Sequence, residues 1–176
     1  MQKKFHYNIA LIGFMGAGKS TVSEHLGRML DMEIIEMDQL ISRREGMRIS
    51  DIFEKHGEEY FRTLETKLLI ELQTGKNVII SCGGGVAMRE KNVQEIKKNG
   101  RIVLLRATPR TILARVGNSD DRPLLAGRKD VESISRMMET RREKYEAAAD
   151  IIVDTDEKDV SQICEEIIQK LLEKDR

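Results

Sequence analysis

Residues 7–21 read YNIALIGFMGAGKST, and this stretch decides the fold because an apolar run passes directly into a glycine-rich turn. The run is typical of a buried strand, and the residues after the turn have the pattern of a helix. A strand, a glycine-rich turn and a helix in this order usually form a phosphate-binding site. The stretch alone does not indicate which phosphate is transferred, or onto what.

The turn fits the P-loop pattern GxxxxGK[ST], with Gly13, Gly18, Lys19 and Ser20 at the fixed positions. Glycine lets the backbone N–H groups and the helix N-terminus point at phosphate oxygens. Lys19 adds a positive charge, and the Ser20 hydroxyl is the expected Mg²⁺ ligand. The residues expected to hold a nucleotide triphosphate are Gly16, Ala17, Gly18, Lys19, Ser20 and Thr21. The alternative is a glycine turn that merely joins strand to helix.

The loop does not by itself make a kinase, because motors, GTPases and regulatory switches share it. No NKxD-like guanine signature follows, and the chain is short. Both observations favour ATP and a small acceptor.

Four further apolar runs predict strands, at residues 32–37, 77–82, 101–107 and 149–155. Each is a short β-branched run of the kind that a parallel sheet buries on both faces. Helical patterns lie between them. One helix face after the glycine loop carries Val22, Leu26, Met29 and Leu30. The last segment has an apolar face made of Val160, Ile163, Cys164, Ile167, Ile168, Leu171 and Leu172. This alternation predicts an α/β domain whose parallel sheet has helices on both faces.

Two segments interrupt the simple alternation. Residues 38–74 have the pattern of about three short helices, where a crossover needs one of roughly 10–15 residues. Residues 117–129 carry Gly, Ser, Asp and Pro with little periodicity, which is typical of a loop. We expect the first segment to be a substrate-binding insertion and the second to be a lid, within a single domain spanning 1–176.

The composition is that of a compact soluble domain. The chain has 176 residues, of which 40% are hydrophobic, and its 30 basic residues balance 30 acidic ones. A net charge of zero argues against nucleic-acid binding. No stretch approaches the ~20 apolar residues of a membrane helix. Cys82 and Cys164 lie in apolar segments, which favours a reducing compartment over a disulfide, so we expect a cytoplasmic protein.

Several polar residues follow predicted strands or lie in the segments beyond them. Asp38 follows the second strand, and Arg62 shares a helix face with Glu65, three residues later. Gly83, Gly84 and Gly85 end the third strand and imply close approach of the backbone to a ligand. The alternatives are a helix N-cap for Asp38, a solvated ion pair for Arg62 and Glu65, and a plain turn for the glycines.

These groups lie where an open α/β sheet binds ligands. Arg62 and Arg141, which precedes Tyr145 in a late helix, suit a carboxylate because arginine binds one through two hydrogen bonds. Asp38 suits a hydroxyl group, as acceptor and possible general base. The residues therefore indicate a small, anionic, hydroxyl-rich acceptor.

The chain resembles the shikimate kinases over essentially its whole length. The resemblance is carried, in family order, by GFMGAGKST, MDQLIS, ISDIFEKHGEEYFRTLE, CGGG, DDRPLL and RREKYEAAAD. It implies a P-loop, nucleoside-monophosphate-kinase-like fold of three layers, with five parallel strands in the order 2-3-1-4-5. It also implies a transferase that uses ATP and Mg²⁺ to phosphorylate the 3-hydroxyl of shikimate, a step towards chorismate and the aromatic amino acids.

The resemblance assigns roles to individual residues. Those matched to shikimate binding are Asp38, Arg62, Gly84 and Arg141, with Glu65 supporting Arg62 and with Gly83 and Gly85 beside Gly84. Arg115 matches a residue that packs against adenine, and Arg122 matches the lid arginine over the transferring phosphate. The implied catalytic residues are Lys19, Asp38 and Arg122.

The chain departs from the family at two places. It has Glu36-Met37-Asp38 where the family usually has Asp-x-Asp, so Glu36 is the residue expected in the outer shell of a Mg²⁺ held by Ser20. Asp156 and Glu157 stand near the expected adenine site, where a more basic or neutral stretch would suit a nucleotide better.

Two other functions stay open at this point. Another small-molecule kinase of the same fold, such as one acting on gluconate, would share the P-loop without needing Arg62, the three glycines and Arg141 together. A catalytically idle nucleotide-binding protein would be expected to lose Asp38 or Arg122, and both are present. The expected partners are ATP and shikimate, with no nucleic acid and no membrane, and we expect a monomer.

Overall fold

A computed structural model describes residues 5–116 and 130–176 of the chain. Within these residues one sheet contains the strands β1 (Asn8–Ile12), β2 (Glu33–Glu36), β3 (Val78–Ser81), β4 (Gly100–Arg106) and β5 (Ile151–Asp154). The strand order is β2-β3-β1-β4-β5, and each neighbouring pair is parallel. The predicted α/β fold with strand order 2-3-1-4-5 is therefore confirmed.

Helices connect the strands and cover both faces of the sheet. They are α1 (Lys19–Leu30), α2 (Met37–Glu45), α3 (Ile49–His56), α4 (Glu58–Leu72), α5 (Glu90–Lys98), α6 (Pro109–Val116), α7 (Val131–Ala148) and α8 (Val160–Lys174), with a 3-10 turn at Val86–Met88. The crossover from β1 to β2 runs in the opposite direction to the crossovers from β3 to β4 and from β4 to β5. Because such crossovers are right-handed, α1 lies on one face while α5 and α7 lie on the other. α8 packs against α1.

The central strands are buried because helices cover both of their faces. Every residue of β1 and of β3 is buried. Both cysteines are also buried, and neither forms a disulfide in this structure. Among the described residues, no helix is long and apolar enough to cross a membrane.

The predicted face of α1 is wrong at one position. Val22, Leu26 and Leu30 are buried, but Met29 is 37% exposed. Ser23 and Gly27 are buried instead. At 3.6 residues per turn, the middle of the buried arc lies between Val22 and Leu30, and Met29 falls at its edge. The amphipathic pattern of α8 is confirmed, with Ile163, Cys164, Ile167 and Leu171 buried.

The segment 38–74 contains the three predicted helices, α2, α3 and α4. α2 ends at Glu45, and Gly46 after it has a φ of 66°, the left-handed conformation that glycine adopts at low cost. α4 is longer than predicted, at 15 residues. It packs against α5 and the 3-10 turn, which places it beside the carboxyl end of β3.

Candidate active site

The glycine-rich loop joins the carboxyl end of β1 to the first residue of α1. Gly16 and Gly18 have φ angles of 82° and 99°, a conformation that side chains other than glycine rarely adopt. Gly18 is the N-cap of α1 and no side chain caps that helix. Because the first-turn N–H groups of a helix have no partner within it, this end of α1 is suited to an anion.

The Lys19 side chain contacts the first residues of the same loop. Its Nζ donates hydrogen bonds to the carbonyl oxygens of Gly13 at 2.6 Å and Phe14 at 3.1 Å. These contacts fix the ammonium group beside the mouth of the loop, where a phosphate group would meet both the charge and the helix N-terminus.

A cavity of about 310 Å³, which we name the phosphate cavity, opens above the loop. Its lining brings together residues that the sequence keeps far apart: Gly16, Gly18, Lys19, Ser20, Thr21, Glu36, Asp38, Gly83, Gly84 and Arg115. They meet because the carboxyl ends of β1, β2 and β3 lie at one edge of a parallel sheet.

Asp38 does not cap a helix, so that alternative for its role is wrong. Glu36 is the N-cap residue of α2 and makes no side-chain cap, while Asp38 lies in the first turn. The Glu36 Oε1 atom instead lies 3.3 Å from the Ser23 hydroxyl, which donates to it. Both carboxylates thus face the phosphate cavity.

Arg62 and Glu65 form a buried ion pair, so the solvated alternative is also wrong. Arg62 Nη1 donates to Glu65 Oε1 at 2.8 Å, and Glu65 is fully buried. On the other side of the guanidinium, Nη2 donates to the exposed Glu58 at 3.1 Å. Burial raises the pKa of the Glu65 carboxyl to about 7, although Arg62 opposes the shift.

Neighbouring side chains of the protein itself require two of the three glycines after β3. A Cβ added at Gly83 would lie 2.8 Å from Glu65 Oε2 and 2.9 Å from Asp38 Oδ1. At Gly85 it would lie 2.6 Å from Arg62 Nη2. At Gly84 its nearest neighbour would be Arg141 Nη1, at an ordinary 3.6 Å. At Gly83 and Gly85, therefore, the groups that approach the backbone closely are side chains of the protein itself.

A second cavity of about 470 Å³, the acceptor cavity, lies on the other side of this turn. It is lined by Glu58, Glu59, Arg62, Gly85, Met88, Arg89 and Arg141. Arg141 Nη1 lies 3.4 Å from the Gly84 carbonyl, which also accepts a hydrogen bond from the Tyr145 hydroxyl. The Arg141 guanidinium lies 5.7 Å from the centre of the Phe14 ring.

Sequence reasoning missed Arg89. It forms an ion pair with Glu59 at 2.6 Å on the wall of the acceptor cavity. The one feature of the sequence that could have indicated Arg89 is its position four residues after the glycine turn. That position is weak evidence, because a single arginine at the start of a helix is common on any protein surface.

Arg115 lies at the base of the loop, and Asp156 belongs to its support. Arg115 Nη1 donates to the Gly16 carbonyl at 3.0 Å and lies 3.4 Å from the Thr155 hydroxyl. Asp156 accepts hydrogen bonds from the Thr108 backbone N–H at 3.1 Å and the Thr111 hydroxyl at 2.6 Å, at the start of α6. Asp156, one of the two acidic residues near the expected adenine site, thus helps to fix the helix that carries Arg115. Arg122 and the predicted lid 117–129 lie outside the described residues.

Comparison with known proteins agrees with this geometry. Residues 15–172 match the model of the family described as shikimate kinase. A shikimate kinase of Caldanaerobacter subterraneus is 41% identical over 162 residues, covering 92% of this chain and 94% of the relative. One of Sulfurihydrogenibium is 43% identical over 164 residues, covering 93% and 97%.

Solved structures give the same result. The structure of the shikimate kinase from Acinetobacter baumannii in complex with shikimate matches with a TM-score of 0.90 and 34% identity, over 95% of this chain and 93% of that one. A gluconokinase from Sinorhizobium meliloti matches with a TM-score of 0.62 but is only 18% identical, covering 97% and 94%, so it is alike in fold alone.

Proposed function

Because the chain belongs to the shikimate kinase family, we propose that its phosphate cavity holds the triphosphate of ATP and its acceptor cavity holds the carboxylate of shikimate. The chain is a phosphotransferase of the shikimate pathway that converts ATP and shikimate into ADP and shikimate 3-phosphate. The observation that carries the proposed arrangement is the buried Arg62–Glu65 pair, packed against the glycine turn between the two cavities.

On the nucleotide side, the proposal rests on the loop and α1. The backbone from Gly16 to Thr21 surrounds the phosphates, and Lys19 stabilises the charge that develops on the transferred group. Arg115 contacts the outside of the loop, next to the expected position of the adenine base.

Ser20 and Glu36 fit the Mg²⁺ that such kinases use. Both line the phosphate cavity and offer oxygen atoms, which Mg²⁺ prefers. Among the described residues there is no cluster of three or more His, Cys, Asp or Glu suited to a metal. Two protein donors are sufficient because Mg²⁺ usually keeps several waters and shares substrate phosphates. When bound, the ion neutralises charge on the phosphate oxygens.

On the acceptor side, arginines orient the substrate. Arg141 has no carboxylate partner among residues 5–116 and 130–176, so its guanidinium is available to the shikimate carboxylate. Arg62, fixed between Glu58 and Glu65, offers its remaining N–H groups from the opposite wall. Gly84 lets the substrate ring approach the backbone.

Asp38 is placed to act on the hydroxyl that is phosphorylated. It lines the phosphate cavity with Lys19, so a substrate held by Arg62 and Arg141 would direct a hydroxyl towards it. Asp38 accepts a hydrogen bond from that hydroxyl and receives its proton as the hydroxyl oxygen bonds to the γ-phosphorus, while the bond from that phosphorus to the ADP oxygen breaks and ADP leaves. Arg122 keeps its predicted role beside the transferring phosphate.

The proposed function is tested by ADP release with different acceptors. Shikimate should support turnover, whereas gluconate and nucleoside monophosphates should leave the rate at the level of ATP hydrolysis alone. Arg141→Ala should raise the KM for shikimate far more than it lowers kcat, because its contact is made in the ground state as well as in the transition state. Equal turnover with gluconate, or an unchanged KM in Arg141→Ala, would contradict the arrangement.

We further propose that the enzyme acts as a monomer in the cytoplasm. The phosphate loop, Asp38, Arg62 and Arg141 all line these two cavities, so the proposed arrangement requires no residue from a second subunit. The two unpaired, buried cysteines suit a reducing compartment.

A further inference from the structure

Ser23 is a fully buried polar residue of α1 to which none of the roles above is assigned. Its Oγ atom lies 2.8 Å from the Ser20 carbonyl oxygen and 3.3 Å from Glu36 Oε1. These two acceptors belong to the two residues that offer oxygen atoms to Mg²⁺. We propose that Ser23 is a positioning residue that fixes the Glu36 carboxylate towards Ser20 and thereby sets the affinity of the nucleotide site for Mg²⁺.

The contact with Glu36 distinguishes Ser23 from an ordinary helical serine. Serine in a helix often donates to the carbonyl three or four residues earlier, and that bond alone is purely local. Glu36, however, lies thirteen residues away at the end of β2. A hydroxyl has one hydrogen, and its two acceptors compete for it: the Ser20 carbonyl oxygen is nearer, at 2.8 Å, whereas Glu36 Oε1, at 3.3 Å, carries the charge. A bond to a charged acceptor is stronger than one to a carbonyl, so a small movement of the Glu36 side chain turns the hydroxyl towards the carboxylate. The hydroxyl therefore links α1 to the carboxylate.

Glu36 needs such a link because its own helix does not hold it. It occupies the N-cap position of α2, but its side chain makes no capping hydrogen bond. A glutamate has three rotatable side-chain bonds, and ordering them costs conformational entropy. The Ser23 hydroxyl, held on a buried face of α1, orders the Glu36 side chain before the cation binds and so reduces the entropy that cation binding must overcome. Partners that orient a metal-binding group typically change metal affinity by tenfold or more.

The proposal rests on the metal site of the proposed function, and it is tested by ADP binding without shikimate. Isothermal titration calorimetry gives the Kd for ADP in EDTA and at increasing Mg²⁺. Ser23→Ala and Glu36→Gln should each raise the Mg²⁺ concentration needed for tight binding by roughly tenfold. The Kd in EDTA should stay at the wild-type value, because the loop and Lys19 are unchanged.

The double variant separates positioning from a general effect on α1. If Ser23 acts through Glu36, the double variant should be no worse than Glu36→Gln alone. Ser42→Ala is the matched control, since Ser42 donates to the Met47 carbonyl at 2.7 Å and has no carboxylate partner. It should bind ADP and Mg²⁺ as the wild type does. Ser23→Thr keeps the hydroxyl and should also retain the Mg²⁺ response.

Three outcomes would overturn the inference: a wild-type Mg²⁺ response in Ser23→Ala, additive losses in the double variant, or an equal loss of affinity in EDTA. If Ser23→Ala does not fold, loss of the Mg²⁺ response in folded Ser23→Thr with Glu36 intact would overturn it too. A wild-type protein that binds ADP without any Mg²⁺ response would instead refute the proposed metal site. The two failures are therefore distinguishable.

Discussion

Arg62 and Glu65 are two ordinary helix residues whose chemistry changes when they are buried. On an exposed helix, an ion pair three residues apart contributes little. Here Glu65 is fully buried and donors from Arg62 satisfy one of its oxygens. Removing Arg62 would leave the buried Glu65 carboxyl without this donor, which is strongly destabilising, whereas removing Glu65 would leave the Arg62 guanidinium paired with Glu58. The pair thus fixes the position of the Arg62 guanidinium at the acceptor cavity.

The raised pKa of Glu65 gives stability a defined dependence on pH. Burial raises this pKa from 4.5 to about 7, so between these values the folded state binds more protons than the unfolded state. The contribution of Glu65 to the free energy of unfolding should therefore fall as pH rises through this window, by on the order of 3 kcal/mol, and stay level above it. Glu65→Gln should remove that slope in urea unfolding between pH 5 and 8.

Glu58→Gln is the matched control for this titration. It removes a carboxylate from the other side of the same guanidinium, but that carboxylate is exposed. A wild-type slope in Glu58→Gln together with a flatter profile in Glu65→Gln would assign the slope to Glu65. The same slope in both variants would show that another group is responsible.

Among the glycines after β3, replacement by alanine should have different effects at Gly84 and at Gly85. At Gly85 the added Cβ would displace Arg62, so Gly85→Ala should lower the midpoint of thermal unfolding and raise the KM for shikimate roughly tenfold or more. At Gly84 the protein has room for the methyl group. Gly84→Ala should therefore keep the unfolding midpoint, and any rise in its KM reports contact with the substrate itself. A wild-type KM in Gly85→Ala would show that Arg62 can shift without loss.

At the scale of elements, α6 depends on a residue from a distant strand. The Thr108 N–H and the Thr111 hydroxyl at its N-terminus both donate to Asp156, which follows β5. A carboxylate in this place satisfies the N–H of the residue before the helix and interacts favourably with the helix dipole. The Thr108 hydroxyl itself accepts from the Thr111 N–H in the first turn. Since α6 carries Arg115, Asp156 connects the end of β5 to the nucleotide loop.

Loss of the Asp156 carboxylate should affect stability and nucleotide binding together. Asp156→Ala should lower the free energy of unfolding by about 1 kcal/mol through the lost hydrogen bonds and weaken ADP binding several-fold, while the KM for shikimate stays unchanged. Glu157→Asn is the control, because it removes the adjacent acid and asparagine tolerates the φ of 58° found there. If both variants weaken ADP binding equally, the effect is one of charge near the nucleotide rather than of α6.

At the scale of the whole molecule, the polar groups of the candidate site lie together at one edge of the sheet. The loop after β1, Glu36 and Asp38 after β2, and the glycines after β3 meet because parallel strands end on the same side. The opposing directions of the crossovers place helices on both faces and leave this edge open. The segment 38–74 then adds α4, which brings Arg62 to the same edge.

Much of this architecture was predictable from the sequence. Short β-branched runs separated by helical periods identify a parallel sheet, since such strands are buried on both faces. The P-loop identifies a phosphate site because its pattern is local and each position has a backbone or charge requirement. The resemblance to shikimate kinases supplied the strand order and the acceptor, and the matched family and relatives confirm both fold and function.

The sequence by itself therefore determined the fold class, the phosphate loop and the set of polar residues available for an acceptor. The tertiary structure alone decided how those residues are used. Burial raises the pKa of Glu65, the Ser23 hydroxyl contacts Glu36, and Asp156 accepts hydrogen bonds from Thr108 and Thr111 at the start of α6. Local patterns depend on backbone geometry within a few residues, whereas burial and cross-chain hydrogen bonds depend on which distant segments pack together.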